Sequence, residues 1–236
     1  MAVEDQDKAA QLAKMNERRS AVYGLMARLY NVEVDAALLD ELRGRSFPSD
    51  TGNADVDKGY GLIARFMSNV WDNTLTELAV DYVRTFIGHG MDMYSAAYPY
   101  ESVYTSKKRL LMQEARDEVM ALYHAAGIVK ADSWKEGEDH IALELEYMQI
   151  LAGRTASALR EGREEEAVSA LKMQRNFIED HLGAWSPMFT ADVKKYAKTD
   201  LYQGLAYLTD GFLAEDRAFL EDLLGQGGCA SPVDGK

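Results

Sequence analysis

The sequence predicts an all-α fold. Three observations carry that expectation: apolar residues recur at helical spacing through long segments, glycine and proline fall between those segments, and no run alternates as a strand ladder would. The bundle should hold about nine or ten helices in one domain over residues 1–224, followed by a Gly-rich flexible tail over residues 225–236.

Over residues 8–30, Leu12, Met15, Val22, Leu25, Met26 and Leu29 leave the charges on the opposite face and mark the first helix. Residues 35–42 read as a short second helix, stopped by Gly44 and Pro48 before a polar loop at 49–53. Helices follow over 60–71 and 75–87, the latter ending at Gly88, the favoured residue for a left-handed C-cap. The stretch 89–104 lacks a helical period and contains Pro99, so it reads as a long ordered loop. Residues 106–127 predict a helix that buries Leu110, Leu111, Val119, Leu122 and Tyr123. A hinge is expected over 125–138, after which Asp139 or a neighbour caps a helix running to about Leu159. Helices over 164–182, 187–197 and 199–224 complete the set.

Composition narrows the function. With 39 acidic against 26 basic side chains and a net charge of −13, the chain lacks the cationic face that nucleic acid or an anionic membrane requires. A cationic partner suits that field. The single cysteine, Cys229, permits no internal disulfide and no thiolate cluster, which fits a reducing, cytoplasmic compartment. Arg18-Arg19 precedes a short apolar run, but Arg28 interrupts it and the segment reads as an amphipathic helix instead of an export signal. No stretch approaches the roughly 20 apolar residues of a membrane span.

Enzyme motifs fail on spacing. There is no G-x-S-x-G elbow and no Walker A loop. The run Asn53-x-Asp55-x-Asp57 hints at calcium, yet Gly59 comes one place late and Ala64 stands where a bidentate Glu is needed. A metal centre on His140, Glu144 and Glu136 is the alternative, since His140 and Glu144 share a helical face. The paired Glu-x-x-His motifs of di-iron bundles are absent, because Gly137 and Ile178 stand three residues before His140 and His181.

Peptide recognition is the other chemistry on offer. Glu136, Glu138 and Asp139 present carboxylates for an arginine, and Tyr98, Tyr100 and Tyr104 present aromatic faces. An acidic rim beside an aromatic groove suits a segment that is basic at one end and apolar beyond it. Residue types alone favour the plainer reading of the same residues, a helix cap at Asp139-His140 and tyrosines packed in the core.

Four tracts in this order carry a resemblance that covers most of the chain. They are Asp81-Tyr82-Val83-Arg84-Thr85-Phe86-Ile87-Gly88, Tyr98-Pro99-Tyr100-Glu101-Ser102-Val103-Tyr104, Glu136-x-x-Asp139-His140 and His181-Leu182-x-x-Trp185. The chain resembles the family of redox-enzyme maturation chaperones that includes TorD, DmsD and NarJ. The family pattern has proline after the first Glu of the third tract, where this chain has Gly137, leaving the loop less pre-ordered. The resemblance implies a cytoplasmic, non-catalytic helical chaperone with no cofactor or metal of its own. Its partner would be a molybdopterin oxidoreductase catalytic subunit, held through its twin-arginine signal peptide until cofactor insertion. It further implies a recognition region at Tyr82, Tyr100, Ser102, Tyr104, Glu136, Asp139 and His140, with Phe86 and Gly88 serving packing and a turn. A monomer or a domain-swapped dimer is compatible with the hinge.

Overall fold

Helix α1 (Ala2–Asn31) owes its place to a stripe comprising Ala13, Asn16, Arg19, Tyr23, Met26, Ala27 and Tyr30, all buried. Two members of that stripe are polar, and apolar Met15 instead faces solvent. The reason lies across the core. Asp216 accepts from Arg19 Nη2 at 2.7 Å and from the Tyr23 hydroxyl at 2.6 Å, so the buried charges neutralise one another. Arg19, conspicuous in the sequence beside Arg18, is thus a core residue.

In the computed structural model, which describes residues 2–88 and 94–226, ten α-helices follow one another and no strand is present among the described residues. After α1 come α2 (Ala36–Arg43), α3 (Ala54–Met67) and α4 (Thr74–Tyr82), the last continuing into a π-helical turn at Val83–Ile87. Then come α5 (Glu101–Thr105), α6 (Glu114–Ala125), α7 (Ile141–Arg160) and α8 (Glu164–Phe177), with a second π-helical turn at Ile178–Leu182 leading into α9 (Gly183–Tyr196) and α10 (Asp200–Gln226). The residues 227–236 of the expected tail, including Cys229, lie outside the described residues, as do 89–93 of the expected loop.

α1 lies along α7, α7 packs on α8, and α3 packs on α10, which also meets α9. The α3–α10 crossing needs glycine on both sides. A Cβ on Gly59 would sit 2.7 Å from the Leu208 nitrogen, and one on Gly204 2.7 Å from the Gly59 oxygen. Between these layers Tyr30, Tyr82, Phe86, Phe189 and Tyr202 form a ring-on-ring core, with centroids 5.0 to 6.2 Å apart.

Several boundaries differ from the sequence expectation, each for a local reason. α3 begins at Ala54 because the Asn53 side chain accepts from the Asp55 and Val56 N–H groups and two aspartates sit in the first turn, so the apparent calcium run is a helix start. Residues 106–113 are not helical: Arg109 and Met112 have φ of 50° and 55°. α6 starts only at Glu114, and Leu110, Leu111 and Leu122 are exposed while Val119 and Tyr123 are buried. The loop after Gly88 holds α5, a short helix the sequence reading missed. α9 starts at Gly183, four residues before Pro187.

Candidate functional site

The second and third tracts meet through their backbones. Tyr100 and His140 form an antiparallel bridge, with Glu101 N–H donating to the Asp139 oxygen and Ile141 N–H to the Pro99 oxygen, both at 2.9 Å. Asp139 Oδ2 then accepts from the Ser102 N–H at 2.9 Å, and the Ser102 hydroxyl accepts from the Gln113 N–H at 3.0 Å. His140, not Asp139, is the N-cap of α7: its Nδ1 accepts from the Ala142 N–H at 3.1 Å. Its ring lies edge-on to Tyr100 and Trp134, at 5.1 and 5.3 Å. Burial pushes the imidazole pKa down to about 3, so His140 is neutral at physiological pH.

Behind this junction is a buried polar cluster that joins the fourth tract. His181 Nδ1 lies 3.0 and 3.2 Å from the two Glu101 carboxylate oxygens, and Trp185 Nε1 donates to Glu144 Oε2 at 2.9 Å. Burial holds the Glu144 carboxyl well above the usual carboxylate range, and the nearby charge of Glu101 adds to that. Asp139 Oδ1 and Glu144 Oε1 are buried without a hydrogen-bond partner. The first tract plays a similar part elsewhere: buried Asp81 accepts from the Lys198 and Thr199 N–H groups, at 3.0 and 2.7 Å, just ahead of α10.

Towards solvent, the Tyr100 hydroxyl donates to Glu136, which is exposed. Burial, followed by the Glu136 carboxylate, raises the Tyr100 pKa. Tyr104 stacks on Trp185 at 5.6 Å and donates to Asp192 Oδ2 at 3.1 Å, while Arg109 covers the Tyr104 ring at 4.8 Å. Glu138 is taken already, by Arg116 Nε at 2.6 Å and Lys130 Nζ at 2.8 Å. Burial pushes its pKa up, but those cations outweigh it and hold the carboxyl below the usual range.

The expected acidic rim is therefore corrected. Of its three carboxylates, Asp139 is fully buried and Glu138 is neutralised, so Glu136 alone faces solvent without a cation. Ser102 and Tyr82 are also buried, the Tyr82 hydroxyl donating to the Tyr30 oxygen at 3.0 Å. The structure joins Tyr100, Ser102, Glu136, Asp139 and His140 at one junction, with Tyr104 beside it and Tyr82 in the aromatic core. The alternative metal centre is not assembled: His140 Nδ1 is occupied by the helix cap, Glu144 faces Trp185, and Glu136 faces Tyr100. Among the described residues no three His, Cys, Asp or Glu side chains are grouped to hold a metal.

The nitrate reductase delta subunit family matches residues 50–191, which span all four tracts. A chaperone protein TorD from Vibrio cholerae (serotype O1, El Tor Inaba N16961) is 30% identical, the match covering 90% of this chain and 96% of that one. This chain belongs to the TorD-like family of redox-enzyme maturation chaperones. TorD chaperones from Vibrio parahaemolyticus and Aliivibrio fischeri are each 27% identical, over 87% and 89% of this chain and 95% and 98% of theirs. A putative redox enzyme maturation protein of known structure from Archaeoglobus fulgidus is 20% identical over 86% of this chain and 93% of that one, with a TM-score of 0.44. Relatives named as chaperones make this TorD-like protein a non-enzymatic one. Among the described residues no helix is long and apolar enough to cross a membrane.

Sequence reasoning singled out the tracts of this TorD-like chain but missed what lies inside them. Glu101, His181 and Trp185 enter the sequence reading only through motifs, and Glu144 only as a metal ligand. The available signal was that polar residues recur on faces that helical spacing marks as buried, where they need partners.

Proposed function

We propose that this chaperone binds the N-terminal, twin-arginine-type signal peptide and the apo form of a molybdopterin-containing oxidoreductase subunit in the cytoplasm, assisting cofactor insertion and preventing premature export. Tyr82, Tyr100, Ser102, Tyr104, Glu136, Asp139 and His140 form the recognition region in two layers. Tyr100, Tyr104 and Glu136 meet the peptide; Ser102, Asp139 and His140 fix the loop that presents them, and Tyr82 anchors the helix behind.

The observation that carries this is the Tyr100–Glu136 pair: an aromatic face and a carboxylate without a cation, held at the surface by a wholly buried junction. Such a pair suits an arginine followed by apolar residues. The net charge of −13 favours encounter with a cationic segment.

An affinity pull-down from the native organism, with mass spectrometry and elemental analysis of the same eluate, tests the proposal. A molybdoenzyme catalytic subunit that keeps its leader is the expected result. A lone bait carrying one transition metal per chain would overturn it.

A further inference from the structure

A cleft of about 470 Å³ opens next to the recognition junction, between α7 and the segment that leads from α6 into the third tract. Its apolar floor includes Ile128, Trp134, Leu143 and Ile150, and Val129 at its lip is 75% exposed. Trp134 links it physically to the junction, through the edge-on contact with His140. Lys130, also in its wall, donates to the Glu136 backbone oxygen at 3.0 Å, so the cleft and the Tyr100–Glu136 pair share one supporting segment.

Exposed carboxylates rim the cleft, alongside two exposed cations, Lys135 next to Trp134 and Arg154, which donates to the Ala126 oxygen at 2.6 Å. Glu146 lies in its wall, Glu136 follows Trp134 by two residues, and Glu33 follows Asn31, another wall residue, by two. All three are exposed, and among the described residues none of their carboxylates is held by a cation. Elsewhere on the surface, acidic groups such as Asp35, Glu41, Asp200 and Glu221 are paired with arginine. The lone cation in the wall, Lys130, is already engaged by Glu138 at 2.8 Å.

We infer that this cleft takes one bulky apolar side chain of an extended cationic segment, with an adjacent Arg or Lys resting on Glu146. This rests on the peptide-binding role proposed above and adds to it a second contact point, separate from Tyr100 and Tyr104. An apolar floor supplies the burial and the carboxylate rim supplies orientation, the division of labour expected of a peptide pocket. A second apolar groove between α1, α8 and α10, lined by Leu12, Val168 and Leu223, has no such link to the junction.

The test is calorimetric titration of the full chain with a synthetic peptide carrying an Arg-Arg pair flanked by Phe and Leu. Glu146→Gln should weaken binding roughly two- to fivefold and flatten its salt dependence, as loss of an exposed ion pair does. Val129→Asn should weaken it roughly two- to fivefold by removing apolar contact at the lip without adding a charge. Val168→Glu, in the other groove, should leave affinity unchanged. All three positions are exposed, so folding is spared, and circular dichroism checks it. Wild-type binding that survives both cleft substitutions would overturn the cleft and leave the chaperone role standing, and loss in Val168→Glu alone would do the same. A wild-type chain that binds no such peptide would overturn both.

Discussion

Asp139 Oδ2 accepts the backbone N–H of Ser102 at 2.9 Å, joining two buried residues that stand 37 positions apart in the chain. The bond sits beside the Tyr100–His140 bridge and fixes how the second tract leaves it. Its carboxylate thus acts on the shape of the loop, and any effect on a bound peptide passes through Tyr100 and Glu136.

Asp139→Ala should lower stability by about 1–3 kcal/mol, since it strands the buried Ser102 N–H. Asp139→Asn keeps an acceptor for that N–H. Its peptide affinity should retain the salt dependence of the wild type, whereas Glu136→Gln should flatten it. A flattened slope for Asp139→Asn in a titration at several salt concentrations would put the carboxylate in direct contact with the peptide's cation.

Gly137 adds a check on the same group. A Cβ there would stand 2.8 Å from Asp139 Oδ1, a buried oxygen without a hydrogen-bond partner. Gly137→Ala should therefore destabilise by about 1–3 kcal/mol, as overpacking does, and the loss should vanish in an Asp139→Ala background. Additive losses in a urea-denaturation cycle would locate the strain elsewhere. The glycine where the family pattern has proline is thus matched to how Asp139 is placed in this chain.

The fold was legible because period and punctuation agree along most of the chain. The helix ending at Gly44 and the one starting at Glu164 lie close to the expected bounds of 35–42 and 164–182. Long-range polar partnerships were not legible: nothing local in Arg19 announces Asp216, nor does Glu101 announce His181, because each bond joins distant segments. The same holds for the recognition region. Spacing brought Glu136 and Asp139 into one tract, but only packing decides that the first is exposed and the second buried. The helix predicted through Leu110 and Leu111 failed because two residues with positive φ interrupt it, a conformation that arginine and methionine do not advertise.

His140 should make the fold acid-labile. Its folded pKa of about 3 lies below the usual 6.5, so the unfolded chain takes up a proton first as pH falls. The stabilisation is complete above pH 6.5 and is lost progressively from there down to about 3. By pH 4.5 the loss is roughly 2–3 kcal/mol. His140→Asn keeps a side chain that caps helices well and removes the titration, so its stability should fall less steeply over that range. Equal slopes in urea midpoints between pH 7 and 4.5 would mean that the imidazole is protonated within the fold.

Glu144 should act with the opposite sign. Its folded pKa is raised by burial and by Glu101, so its contribution is fully present below the unfolded carboxylate pKa and declines as pH rises towards the folded value. Glu144→Gln removes the acid yet keeps a carbonyl oxygen for the Trp185 indole, the bond observed at 2.9 Å. The variant should therefore gain on the wild type with rising pH, by up to about 1.4 kcal/mol per pH unit, the slope for one proton. Urea midpoints at pH 5, 6, 7 and 8 measure the divergence. A constant difference across that series would mean that Glu144 is already ionised in the folded chain.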